Sequence, residues 1–398
     1  MLKQKKKIVK IILCALNLPA LILLILIYPV LRIKITELET RAIGHFSTPV
    51  EIFLGEIKRN IHGKKKVFYI WFANNHVANN FLLKKWKEKI IVGPRIILEP
   101  LFYIIHKYSF LNFLRTPYRH WQRYDNIPKK WQAYDMYNVL SKTKPNINFN
   151  FNEQKYCNNF LKKQDTKINN YVCFFSRSKI FYKDRLQLRD SSIENQKKGI
   201  LKLCKGNHLK GIRMGSTGLK LKKYNSTIFD YANSKYKQEM LDIFLPMNCK
   251  FMIGTASGMD SIPALNRKKI LLVSRSDLHA IGEGTETHTP LMIPKKFKKL
   301  SNNKLLSFSK VFELKLTEFI YEKDLNKFGY QSVSNSSVEV SDAIFEMNNL
   351  IDQKKNKIKD TELQNRFWKI FYKFYKIKKP KVLRICDTFL KRNKKLIN

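Results

Sequence analysis

The sequence is poor in the residue types that build stapled or metal-bound folds. Its six cysteines, Cys14, Cys157, Cys173, Cys204, Cys249 and Cys386, show no C-x-x-C pair and no Cys/His ligand spacing. Neither a zinc knuckle nor a disulfide framework is indicated, and the cysteines read as buried thiols in a reducing compartment. The eight histidines are scattered without an H-E-x-x-H pair, so no metal site is visible. No internal repeat and no nucleic-acid-binding motif occurs. Acidic residues are scarce too, 31 against 76 Lys and Arg, for a formal net charge of +45. An excess of that size attracts the phosphates of nucleic acid, anionic lipid or nucleotide-sugar. The codon bias of an AT-rich genome, visible in Lys over Arg and in only 14 glycines, leads to the same composition.

What is present is a globular chain with a membrane-like start. With 44% apolar and 13% aromatic residues among 398, the chain is long enough for two domains plus appendages. Residues 11–31 form an almost uncharged apolar run of bilayer-crossing length, preceded by Lys3, Lys5, Lys6, Lys7 and Lys10. No small-residue cleavage site precedes the charged stretch that starts at Arg32, which favours an uncleaved anchor over a signal peptide. Asn17, Pro19 and Pro29 interrupt the run, so a monotopic anchor is an alternative to a spanning one.

After the anchor, expected over 1–30, the pattern is α/β. A strand from Val30 leads through Gly44-His45 into a helix over 48–60. A second strand over 66–72 precedes a basic helix over 77–87, and an aromatic-rich stretch follows to about Tyr137. The Asn-rich segment KPNINFNFNEQ over 144–154 reads as a linker, dividing an N-terminal Rossmann-like domain, 31–150, from a second one, 151–335. In the second, strands at 171–175, 209–214, 250–254 and 270–273 alternate with helices at 193–204, 235–244 and 257–265, which implies a parallel sheet with helices on both faces. Residues 336–398 read as basic C-terminal helices.

Ligands of such sheets bind at the carboxyl ends of the strands. Arg177 follows one strand there, Arg213-Met214-Gly215 ends another, and Thr255-Ala256-Ser257-Gly258 follows a third. Arginine pairs bidentately with phosphate oxygens, and the turn is expected to open a helix whose free N–H groups attract anions. His45 is a candidate base for an acceptor hydroxyl. Glu283, Glu286 and His288 form a loop cluster that supplies either a base and sugar ligands or only a solvated polar loop.

At these residues the chain resembles a family of bacterial glycosyltransferases of surface-polysaccharide gene clusters with the two-Rossmann GT-B architecture. The resemblance runs through Arg41-Ala42-Ile43-Gly44-His45-Phe46, Arg213-Met214-Gly215, Asp230-Tyr231-Ala232, Thr255 to Pro263 with Asp260, Ile293-Pro294-Lys295-Lys296 and Leu363 to Trp368. It implies transfer of a sugar from a nucleoside-diphosphate donor to a cell-surface polysaccharide or lipid-linked glycan, without a metal or other cofactor, and C-terminal helices, 336–398, that pack back across both domains. The implied donor set is Arg177, Arg213, Gly215, Thr255, Ser257, Gly258 and Asp260, with His45, Glu283 and Glu286 on the catalytic side. The implied partners are the donor, the glycan acceptor and the membrane surface, not nucleic acid, and the implied location is the cytoplasmic face of a bacterial inner membrane. One departure stands out. The family pattern has His-x-Arg-Asp where this chain has Phe175-Ser176-Arg177-Ser178, so a catalytically impaired binding protein of the same fold is the alternative.

Overall fold

A computed structural model describes residues 16–119, 132–177, 186–215, 226–281, 288–353, 360–380 and 382–397. The chain divides into two units, residues 1–133 with 146–148, and residues 134–145 with 149–398.

The first unit is built on a parallel sheet of β1 (Ile33–Leu38), β2 (Phe68–Ala73) and β3 (Ile91–Val92), in that order. The helix Thr48–Lys58 begins with Pro49 in its first turn, where the missing N–H costs nothing, and with Glu51 favourably placed against the helix dipole. Phe53 on this helix meets Tyr69, Trp71 and Tyr118 edge-on. Two buried carboxylates sit on the same helix. Glu51 accepts the backbone N–H of Asn146 (3.1 Å), and Glu56 is bound by Arg119 (2.8 Å) and His62 (2.8 Å). The aromatic-rich stretch, for which the sequence suggested no element, holds the helix Arg95–Lys107 and a 3₁₀ turn, Ser109–Leu114.

The expected membrane anchor falls only partly within the described residues. Among the described residues, no helix is long and apolar enough to cross a membrane. Residues 1–15, half of the expected anchor, lie outside those described. The other half holds a ten-residue helix, Leu18–Ile27, about 15 Å long at 1.5 Å per residue. Pro19 lies in its first turn, and Pro29 comes just after its end. Leu21 is buried, with Ala20, Leu24, Ile25 and Tyr28 packed beside it against Leu98, Leu101, Phe102 and Leu111.

In the second unit the strands are β4 (Tyr171–Phe174), β5 (Lys210–Arg213), β6 (Ile228–Phe229), β7 (Met252–Gly254), β8 (Ile270–Arg275), β9 (Leu291–Pro294), β10 (Lys296–Lys299), β11 (Tyr330–Val333) and β12 (Arg384–Ile385). Seven form one parallel sheet ordered β12-β9-β8-β7-β4-β5-β6, and β10 pairs antiparallel with β11 in a separate ribbon. The α/β class expected from the sequence is therefore what the structure shows, with parallel sheets in both units. The central strands β4 and β7 are buried along their whole length, which explains their near-continuous apolar runs.

Part of the expected linker is helical. Asn150 accepts the N–H of Glu153 (2.9 Å) while Glu153 accepts that of Asn150 (2.8 Å), a capping box that starts the helix Phe151–Lys163. The C-terminal helices Ser337–Asp352, Glu362–Tyr375 and Asp387–Arg392 belong to the second unit, whose core receives Ile344, Phe367, Phe371 and Phe389 from them.

Candidate functional site

Strand order fixes where a ligand of this sheet would sit. From β4 the chain builds outward through β5 and β6 on one side. On the other side it builds through β7, β8, β9 and β12. Connections therefore leave in opposite directions on the two sides of the β4/β7 pair, and sheets with such a reversal bind their ligands outside the carboxyl ends of the two strands. Arg177 lies three residues beyond β4, and Thr255 is the first residue after β7. Arg213 ends β5, in register with Phe174.

The structure joins Arg177 directly to the turn. Its backbone N–H donates to Thr255 Oγ1 (3.0 Å), its Nη2 donates to Gln187 Oε1 (2.6 Å), and its Nε lies 3.3 Å from Asp190 Oδ1. Arg213 Nη1 donates to both carboxylate oxygens of Asp230 (3.2 and 3.1 Å), and Asn233 Nδ2 donates to the same group (2.9 Å). Both arginines and both aspartates are buried. Gly215 lies two residues on with φ at 115°, and a Cβ there would stand 2.7 Å from the ring of Phe175.

The turn after β7 differs from the expected helix. Two short 3₁₀ turns, Gly258–Ser261 and Pro263–Asn266, replace it, so no α-helix opens at this turn. The N–H of Ser257 goes instead to the buried carboxylate of Asp260 (2.6 Å). Burial raises the pKa of Asp260 to about 7, against the opposing pull of the Ser257 and Thr255 amides and of Arg275. A Cβ on Gly254 would meet Asp260 Oδ1 at 1.8 Å, so only glycine leaves room for this carboxylate. Ala256 holds the left-handed conformation at φ 58°, which costs a residue with a side chain on the order of 1 kcal/mol. Thr255, Ser257, Gly258 and Asp260 thus form a turn braced by the bond from the Ser257 amide to Asp260.

Three rim residues escaped the sequence reading. Arg189 Nη1 donates to Ala256 O (3.2 Å), and Gln187 holds the Arg177 side chain. Arg275 ends β8, buried, with its Nε 3.4 Å from Asp277 Oδ1. Burial pushes the Asp277 carboxyl up, but Arg275, Arg189 and His279 hold it below the usual range. The Leu-Arg-Asp run over 188–190 was the available signal, although partners 67 residues apart in sequence leave no local trace. Beside this cluster a cavity of about 330 Å³ is lined by Gln187, Asp190, Ser191, Lys295, Glu322 and Ser332. Lys295 Nζ donates to Asp190 O (2.7 Å), and burial lowers its pKa to about 8.

Glu283 and Glu286 lie outside the described residues. His288 lies at the opposite edge of the sheet, since its carbonyl accepts the N–H of Ile270, the first residue of β8 (2.9 Å). Burial, with Lys269 and Arg267 nearby, lowers its pKa to about 4. His45 belongs to the first unit, on the loop between β1 and the helix Thr48–Lys58, where burial lowers its pKa against the pull of Glu39. Among the described residues no group of three or more His, Cys, Asp or Glu is arranged to hold a metal ion.

No protein-family model matches the chain, and no curated protein matches it in sequence. Solved structures do overlap with it. One is Escherichia coli ADP-heptose LPS heptosyltransferase II, at 11% identity over 66% of this chain and 90% of that one, with a TM-score of 0.39. A glycosyltransferase family 9 protein from Veillonella parvula overlaps at 12% identity over 82% of this chain and 98% of that one, with a TM-score of 0.45. The iron-containing dodecameric glycosyltransferase TibC of enterotoxigenic E. coli overlaps at 12% identity over 66% and 63%, with a TM-score of 0.37. Overlaps of this size leave the site to be judged on its own geometry.

Proposed function

We propose that the second unit binds a nucleoside-diphosphate sugar outside the carboxyl ends of β4 and β7, and that the chain transfers the sugar to a hydroxyl of a surface polysaccharide or lipid-linked glycan. The observation that supports this reading is the gathering of Arg177, Arg189, Arg213 and Arg275 around the carboxyl ends of β4, β5, β7 and β8 at the strand-order reversal. In the reaction, the bond between the anomeric carbon and the diphosphate breaks as the acceptor oxygen bonds to that carbon. The guanidinium groups stabilise the charge that builds on the departing diphosphate, and the acceptor proton passes to a base. His45 is our candidate for that base, because its lowered pKa keeps the imidazole neutral near pH 7.

Arg213→Lys keeps the charge beside Asp230 but removes the planar fork, so it is the variant that reads binding with the least loss of fold. Titration calorimetry with UDP-, GDP- and ADP-sugars should show donor affinity reduced at least about tenfold, one charge-assisted hydrogen bond being worth roughly 1.5–3 kcal/mol. Unchanged affinity for the donor that wild type binds would remove the assignment.

Phe175 favours a second reading. Its ring packs against Gly215 at the rim, where the family pattern has a polar residue, and a chain so altered binds a donor without turning it over. Nucleotide-sugar binding without release of nucleoside diphosphate in the presence of glycan acceptors would select that reading.

A further inference from the structure

The helix Leu18–Ile27 carries no polar side chain, yet only one of its sides is packed on protein. The opposite stripe, Leu18, Ile22 and Leu26 with Leu23 beside it, is exposed, Leu26 at 71%. The bare surface continues beyond the helix. Tyr28 meets Phe113 edge-on at 4.8 Å, and Phe113 shares the turn Ser109–Leu114 with Phe110, which is 70% exposed. Soluble surfaces seldom leave so many large apolar side chains side by side.

Charge selects the occupant. Across residues 16–32 and 95–115 the basic side chains are Arg32, Arg95, Lys107 and Arg115, and the only acidic one is Glu99, already paired with Arg95. Five lysines lie within the first ten residues of the sequence. The helix, at about 15 Å, reaches half of the ~30 Å hydrocarbon core of a bilayer. We propose that the first unit docks in the plane of an anionic bilayer. The stripe of Leu18–Ile27 enters the acyl boundary, Phe110 and Phe113 sit at headgroup depth, and the surrounding basic side chains meet acidic headgroups. This surface stands whether or not the second unit transfers sugar.

Co-sedimentation of the full chain with vesicles tests it. Wild type pellets with phosphatidylcholine vesicles that contain phosphatidylglycerol and binds vesicles of phosphatidylcholine alone at least about tenfold more weakly. The Leu26→Glu and Phe110→Glu double variant loses the binding by a similar factor, about tenfold or more, while its thermal unfolding and donor binding stay as in wild type. If its unfolding transition is lost, Ile22→Gln with Phe110→Ser takes its place. Vesicle binding that survives these substitutions shows that the chain does not dock through this face and overturns the proposal. So does a patch that proves to be covered by a second copy, seen as a dimer that dissociates in the double variant with no vesicle binding in wild type.

Discussion

The rim of the second unit and the outer stripe of the helix Leu18–Ile27 invert each other. At the rim, charged groups are withdrawn from water: Arg177, Asp190, Arg213, Asp230, Asp260 and Arg275 are all buried. On the stripe, leucine and isoleucine side chains face outward. Each arrangement runs against the free energy of folding, because burying charge and wetting apolar surface both cost stability. The rim offsets its cost by pairing the charges within the chain, whereas the stripe has no partner within the described residues. The rim is thus held by bonds within the chain. The bare stripe marks a surface that needs another phase.

The contrast predicts that charge removal at the rim hurts the fold far more than charge addition on the stripe. Arg213→Ala takes from the buried Asp230 the guanidinium from which both its oxygens accept, and denaturant unfolding should show a loss of about 3–5 kcal/mol. Equal stability of Arg213→Ala and wild type would mean that the pairing is not what holds the rim.

Asp260 gives the next largest effect. The unfolded carboxyl ionises near 3.8 and the folded one near 7, so the native state binds the extra proton between those values. The contribution of Asp260 is therefore complete below about pH 4 and is lost as pH rises to 7, by on the order of 4 kcal/mol. His288 acts in the opposite sense between about 4 and 6.5, where the unfolded chain holds the proton and the native one does not, so rising pH stabilises. Relative to wild type, Asp260→Asn should make stability climb with pH over that window, and His288→Gln should make it fall. Thermal unfolding of the two variants across pH 4 to 7 checks both signs. Parallel profiles would show that neither group titrates from a buried site.

Smaller effects belong to the stripe. Leu26→Glu alone should leave unfolding within about 0.5 kcal/mol of wild type, as an exposed substitution does, while it weakens vesicle binding. Lys107→Gln should weaken binding to phosphatidylglycerol vesicles by roughly fivefold, about 1 kcal/mol for one basic side chain near the surface. The effect should fade in high salt.

Much of the second unit was legible because its central strands are buried runs such as Tyr171–Phe174 and Ile270–Arg275, bounded by polar residues. The two-residue strands β6 and β12 were not, being too short for any period to show. Arg177, Arg213 and the turn after β7 could be placed at strand ends because each ends or follows a readable strand. Their partners were hidden by sequence distance, since Asp230 lies 17 residues from Arg213 and Thr255 lies 78 from Arg177. The helix expected from Ser257 failed because Asp260 turns back to the Ser257 amide and Pro263 begins a second short turn. His288 was misplaced because the loop after β8 returns to the amino edge before β9 begins, which composition cannot reveal.

Gly254 and Asp260 have a consequence for how this chain can vary by descent. With 1.8 Å between a Cβ at 254 and the carboxylate at 260, a lineage cannot exchange the glycine while it keeps the acid. It also cannot exchange the acid without leaving the Ser257 amide to find another acceptor. The two positions are inherited as a pair, and a homologue that carries a side chain at 254 should be found to have abandoned the aspartate at 260 as well.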